Sequence, residues 1–358
     1  MDTCLACKSC AGQCPVKVDV PDFRSKFLAL YHTRYHAQSG TCCWHGWNLL
    51  CHSWPRHPGS ARQRAAGEPR RKITAAPHRP GPRADAERCR PDRRTRRACF
   101  AIATPASIAA VEAQARRAVI VVQDAFTSHF ETGLVLDTLR LLDRLGFHPL
   151  LAPFLPGGKP LHVHGFLGRF HRTAEKNATM LKRLESTGIP LIGIDPAMTL
   201  IYRSEYKETL GEANSPHVYL LQEWLAQALA SAGSHISDDV EPCFLLPHCT
   251  ERTNAAAAMD NWERVFTACG AQLNVLPVGC CGMSGTYGHE AQNRSTSETI
   301  YQMSWGPTVA RHYAGGRLMA TGYSCRCQAS AIDAVALPHP VQVLLALVGS
   351  RAAVKSGR

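Results

Sequence analysis

From about residue 118 onward, short apolar runs alternate with longer stretches whose leucines return every three or four residues, and this alternation predicts an α/β fold. Ala118–Val122 (Ala-Val-Ile-Val-Val) reads as a buried strand, and Leu134, Leu136, Leu139, Leu141, Leu142 and Leu145 place a helix over 132–145. Further strands are expected at 147–152, 189–194, 244–246, 273–278 and 317–321.

The pattern occurs twice. In the first half, strand ends are expected at Asp124, at Gly157-Gly158-Lys159 and at Asp195-Pro196; in the second, at His248-Cys249, at Gly279-Cys280-Cys281-Gly282 and at Ser324-Cys325. The junctions are 33 and 38 residues apart in one half and 31 and 45 in the other, which predicts a duplicated unit with repeats at about 118–205 and 243–345 inside a domain covering 99–350. Residues 351–358 are read as a tail.

Only the second copy has cysteine at all three junctions. Loops at strand ends gather functional groups in α/β folds, so Cys249, Cys280, Cys281 and Cys325 are expected to converge although they span 76 residues. Four thiolates suit an iron–sulfur cluster or a structural Zn²⁺, and both readings stay open here. The glycines of 279–288 would let adjacent cysteines aim at one centre and bring backbone N–H groups to cluster sulfide. His248, Glu251 and His289 are candidates for hydrogen bonds to that centre, with helix capping as the plainer alternative. Cys243, Cys269 and Cys327 are read as bystanders, His162 and His164 as a solvated pair, and Asp195-Pro196 as a helix start. No catalytic residue is assigned.

Near the N-terminus, Cys4, Cys7, Cys10 and Cys14, followed by Pro15, have the C-x2-C-x2-C-x3-C-P spacing of a bacterial [4Fe–4S] ligand run. Three close thiolates wrap three corners of a cubane, and the fourth typically serves a second cluster; a single run is therefore half of a two-cluster module. A zinc ribbon is the alternative, although its cysteine pairs normally lie further apart. Phe23, Phe27, Leu28 and Leu30 suit a short amphipathic helix within 16–35, and the motif with its helix is taken as 1–36.

The chain has 358 residues, 16 cysteines and a formal net charge of +12. Tight CxxC, CC and CxC groups in a chain this long point to metal rather than to a disulfide scaffold. Charge is localised: 40–100 contains 13 Arg and one Lys against two Asp and two Glu, which accounts for +10. That span also has seven prolines and no period of 2 or 3.6. Its mixture, as in Cys42-Cys43-Trp44-His45-Gly46-Trp47, resembles a GC-rich gene translated out of frame, with compensating shifts near Tyr35 and Cys99. Segment 37–98 is accordingly read as out-of-frame or disordered; a basic nucleic-acid arm would need structured or aromatic-interleaved basic motifs, which are absent. No run approaches the roughly 18 to 20 apolar residues of a membrane span, and the first residues lack a secretory signal pattern. A cytoplasmic location is expected, at most peripheral to the inner face of the membrane.

The run from Cys4 to Pro15, followed by Cys249, Gly279-Cys280-Cys281-Gly282 and Cys325, resembles the iron–sulfur part of the FAD-linked 2-hydroxyacid dehydrogenases, in particular the bacterial FAD- and [4Fe–4S]-containing D-2-hydroxyglutarate dehydrogenases. Their cysteine-rich domain is shared with heterodisulfide reductase and glycolate oxidase iron–sulfur subunits. Residues 121–131, Gly157-Gly158-Lys159-Pro160-Leu161, Asp195-Pro196-Ala197-Met198, His248-Cys249-Thr250-Glu251 and 280–290 are similar to that family's wording. The likeness is read over residues 1–35 and about 99–350 and is expected to stop across the basic span. It implies a larger N-terminal portion that binds FAD and takes hydride, with electrons then passing singly through iron–sulfur centres to a quinone or other carrier. This chain would be the electron-transfer fragment, its partner the flavin domain, with no FAD site and no nucleic acid bound. Cys327 stands where the family has serine, and no second ferredoxin run supplies a fourth ligand for the Cys4, Cys7, Cys10 cluster. The competing readings are a zinc-stabilised interaction domain and a nucleic-acid binder with a steep salt dependence.

Overall fold

The computed structural model describes residues 4–8, 10–11, 15, 18–35, 100–112, 117–230, 242–313 and 317–356. Cys14, segment 37–98 and the tail beyond 356 lie outside the described residues, as does everything expected of them.

The described residues form an α/β fold with two parallel sheets. The first contains β1 (Ala118–Val122), β2 (His148–Leu151), β3 (Leu191–Gly193) and β4 (Tyr219–Leu220) in the order β2-β1-β3-β4. The second contains β5 (Cys243–Leu246), β6 (Leu273–Val275) and β7 (Leu318–Ala320) in the order β6-β5-β7. In each, the earliest strand is flanked by the next two: Val121 registers with Leu151 and Ile192, and Leu245 with Val275 and Met319. Parallel strands need crossovers, provided among others by helices Thr132–Arg144, Leu167–Glu185 and Ala257–Ala268. All strand C-termini in a sheet therefore emerge on one side, where the junction loops gather. The two-residue β4 is an edge strand that the apolar pattern does not announce.

Alternation along the strands divides the core. Val119 and Val121 of β1 join Leu139 and Leu142 of the first half to Leu245, Val265, Phe266 and Met319 of the second in one cluster. Ile120 and Val122 face the other way, toward Leu150, Phe170 and Leu181, while Leu246 turns toward Tyr301, Trp305 and Leu318. Burial on both faces explains why β1 is apolar throughout.

The N-terminal helix Val20–Arg34 starts where Asp19 accepts the Asp22 N–H at 3.0 Å. Its orientation corrects the sequence reading. Phe23, Phe27 and Leu30 are exposed, and Pro21 and Ser25 are the buried positions. Close approach explains this: Gly165 has φ +76°, and a Cβ there would lie 2.5 Å from Leu28 Cβ and 2.8 Å from the Ala29 nitrogen. Leu28 faces this turn, while Phe23, Phe27 and Leu30 point away from it. His32 stacks on Phe166 at 4.8 Å, and its Nε2 is 3.1 Å from the His164 carbonyl.

His162 is a second correction. Within helix Lys159–Val163 it is buried, 3.5 Å from Ser25 Oγ and edge-on to Phe170, so it is not solvated; burial lowers its pKa to about 4.

Candidate metal centre

The three junctions of the second sheet bring the four expected cysteines together. Beyond β5, His248 caps helix Cys249–Asn254 by accepting the Thr250 N–H on Nδ1 at 3.2 Å, which sets Cys249 in the first turn. Beyond β6, the turn holding Cys280 and Cys281 bends at Gly282, where φ is +86° and a Cβ would lie 2.2 Å from the Ser297 carbonyl oxygen. Beyond β7, Gly322 precedes helix Tyr323–Asp333 and its Cys325; a Cβ on Gly322 would meet His248 Cδ2 at 2.2 Å and Cys325 Sγ at 3.1 Å.

The thiols form a row of contacts: Cys249 to Cys280, Cys280 to Cys281, and Cys281 to Cys325. Hydrogen bonds from Cys249 and Cys281, with the Gly282 N–H at 3.4 Å, hold Cys280 well below the usual thiol range against its burial. Cys249 and Cys281 are pushed up, by donating to Cys280 and by burial. Among the described residues no three His, Cys, Asp or Glu side chains are arranged as ligands of a single metal ion.

Of the other candidates, buried His248 has its pKa lowered chiefly by burial and keeps a neutral ring beside the row. Glu251 points into the core instead. It accepts from Gln222 Nε2 at 2.5 Å, Trp262 Nε1 at 3.1 Å and Thr321 Oγ1 at 2.6 Å, and burial raises its pKa to about 7. Thr321 Oγ1 in turn accepts the His248 N–H at 2.9 Å, so Glu251 supports the loop from beneath. His289 is exposed at the end of a 3₁₀ turn and does not line the cavity beside the thiols. Cys243 and Cys269 are buried in the core that joins the two halves.

The first-half junctions carry caps in place of thiols. Asp124 accepts the Phe126 and Thr127 N–H groups at 2.8 and 2.9 Å, and burial, then the neighbouring Asp195 charge, raises its pKa to about 7. Asp195 caps helix Pro196–Thr199 through the Met198 N–H at 3.1 Å, as expected, and its other oxygen accepts the Tyr323 N–H at 2.9 Å. Sequence reading missed Arg326, which follows Cys325: it is buried, donates to the Ala320 and Thr321 carbonyls at 2.9 and 2.8 Å, and pairs with Glu131 of the first half.

Of the N-terminal cysteines, Cys7 lies beside this row. Leu5, Ala6, Cys7 and Lys8 line a cavity of about 100 Å³ together with Cys249, Cys280 and Cys281. Ser284 Oγ donates to the Leu5 carbonyl, and Thr250 Oγ1 to the Cys7 carbonyl at 3.4 Å. Cys4 and Cys10 are part-exposed. Two motifs more than 230 residues apart in sequence thus share one cavity.

Three bacterial relatives fit this arrangement. The chain is 42% identical over 354 residues to the D-2-hydroxyglutarate dehydrogenase of Pseudomonas putida and 40% identical over 370 residues to that of Escherichia coli, covering 96% and 97% of the chain. Over nearly its whole length, this chain is a relative of the D-2-hydroxyglutarate dehydrogenases. It spans about a third, 34%, of the length of those proteins. One subunit of the anaerobic glycerol-3-phosphate dehydrogenase of Escherichia coli is 26% identical over 247 residues, which is 66% of this chain and 61% of that protein. No protein-family model matches the chain. The aligned stretch, 96% of the 358 residues, runs through the basic span as well as its flanks.

Proposed function

We propose that this chain is the iron–sulfur electron-transfer portion of a flavin-dependent 2-hydroxyacid dehydrogenase of the D-2-hydroxyglutarate type, an oxidoreductase acting on CH–OH. The observation that carries the reading is the row Cys249, Cys280, Cys281, Cys325, assembled from three strand ends beside Cys7. In this reading Cys4, Cys7, Cys10 and Cys14 hold a [4Fe–4S] cluster in a half ferredoxin motif, and the four second-half cysteines hold a further iron–sulfur cluster. The matching strand orders around β1 and β5 support a duplicated cysteine-rich domain whose first copy has lost its thiols.

The donor set suits such a group. Thiolate is the ligand iron–sulfur clusters require, hydrogen bonds hold Cys280 well below the usual thiol range, and the glycine turn aims the Gly282 N–H at the Cys280 sulfur. A bound cluster would supply one-electron transfer. The protein's part is to hold the second-half thiols at strand ends and to keep water from Cys249, Cys281 and Cys325 by burial. FAD and substrate would occupy the portion of the relatives that this chain does not span, with the flavin domain as donor and a quinone or other carrier as acceptor. Among the described residues no helix is long and apolar enough to cross a membrane; we place the protein in the cytoplasm or at the inner membrane face.

The test is iron, zinc and acid-labile sulfide per chain after anaerobic purification, for the wild-type chain and for Cys280→Ser. The reading expects iron and sulfide in near-equal amount, with Cys280→Ser losing one centre and keeping the N-terminal one. One zinc without sulfide at the second-half site would replace this reading with a zinc-stabilised interaction domain.

A further inference from the structure

Lys8, beside Cys7, is buried, whereas Cys4 and Cys10 on either side are part-exposed. Its ammonium group lies 3.2 Å from Asp19 and 3.5 Å from Glu205. Glu205, with 1% exposure, also binds Lys159 and Ser204, so one buried carboxylate holds two ammonium groups from distant parts of the chain. A buried ion pair is poor at adding net stability but fixes geometry strongly, because removing one partner strands the other. The loop is also held in an unfavourable backbone state: Ala6 and Lys8 have φ of 53° and 59°, the left-handed region that residues with a Cβ avoid. Such residues persist only where surrounding contacts over-determine them. Here those contacts are Lys8 with its acids and the hydroxyls of Ser284 and Thr250, which hold the Leu5 and Cys7 carbonyls. Thr250 adjoins Cys249, and Ser284 is three residues from Cys281.

We propose that Lys8 is a positioning residue that locks the N-terminal cysteine loop over the thiol row through Glu205, so that the two cysteine sites act as one electron-transfer unit. This rests on the iron–sulfur reading above. The lock joins three regions: the loop, the first half at Glu205 and Lys159, and the cysteine turns of the second half.

The experiment compares wild type, Lys8→Met and Lys8→Arg as full chains. Stripped of metal under reducing anaerobic conditions, each is alkylated with iodoacetamide and every cysteine is followed by peptide mass spectrometry. Lys8→Met is expected to speed labelling of Cys249 and Cys281 by about tenfold through local opening, Lys8→Arg to return it toward wild type, and core Cys269 to stay slow in all three. Equal rates at Cys249 and Cys281 in wild type and Lys8→Met would overturn the proposal. A parallel rise at Cys269 would overturn it too, since Lys8 would then support the whole fold. On the metal-loaded chains reduced with dithionite, magnetic broadening between two centres should be present in wild type, lost in Lys8→Met and regained in Lys8→Arg. Iron content of the wild type decides the underlying reading separately; a chain without iron would sink that reading while the labelling still decides the role of Lys8.

Discussion

Asp195 Oδ2 accepts the backbone N–H of Tyr323 at 2.9 Å, so a first-half carboxylate caps the helix that carries Cys325 in the second half. A first-half junction without a thiol thus still serves the thiol row, as a brace for one of its members.

Asp195→Ala removes two hydrogen bonds at once, to the Met198 and Tyr323 N–H groups. Loss of an N-cap costs about 1 kcal/mol, and stranding a buried donor about 1–3 kcal/mol, so the urea midpoint should fall clearly. Asp195→Asn keeps an acceptor and should recover much of the loss. On the proposed function, iron at the Cys249 to Cys325 site should fall in Asp195→Ala while the N-terminal site stays loaded. Unchanged stability in the alanine variant would show that the bridge adds nothing to stability.

Gly165 is where the N-terminal helix touches the body most closely. Gly165→Ala brings a Cβ to 2.5 Å from Leu28 Cβ, at a φ of +76°. Overpacking of this kind costs about 1–3 kcal/mol, relieved by lifting the helix. Limited proteolysis should then cut within 18–35 markedly faster than in wild type, with little change across 118–230. Equal protection of 18–35 in both proteins would contradict the seating described.

His162 makes the same contact sensitive to acid. Burial depresses its folded-state pKa from 6.5 to about 4, so between those values the unfolded chain binds the proton that the folded chain refuses. The stabilising contribution is full above pH 6.5 and is lost as pH falls toward 4, by up to roughly 3 kcal/mol. Denaturant midpoints measured across that window should decline in wild type and decline less in His162→Phe, which keeps a ring against Phe170. Parallel curves would mean that His162 does not titrate as its burial requires.

Much of the α/β core was legible because a strand buried on both faces reads as an unbroken apolar run, here Ala-Val-Ile-Val-Val. The approach of Cys249, Cys280, Cys281 and Cys325 followed from the same logic, since parallel strands end on one side. Lys8 with Glu205, and Arg326 with Glu131, were not legible: a single charged residue carries no period, and its partner lies 197 or 195 positions away. The outward Phe23 and Phe27 were misread for a related reason. Periodicity marks an apolar stripe, but the small side chains at Gly165 and Ser25 decided which face could come close. His162 looked polar in sequence and is enclosed between Ser25 of the N-terminal helix and the ring of Phe170.

The core cluster that runs from Val119 and Leu139 through to Val265 and Met319 makes the two sheets a single cooperative object. The two halves share one apolar wall, and either half made alone would present that wall to water. The first half brings no thiol to the row and is still indispensable to it, because its valines and leucines are the floor on which the second half stands.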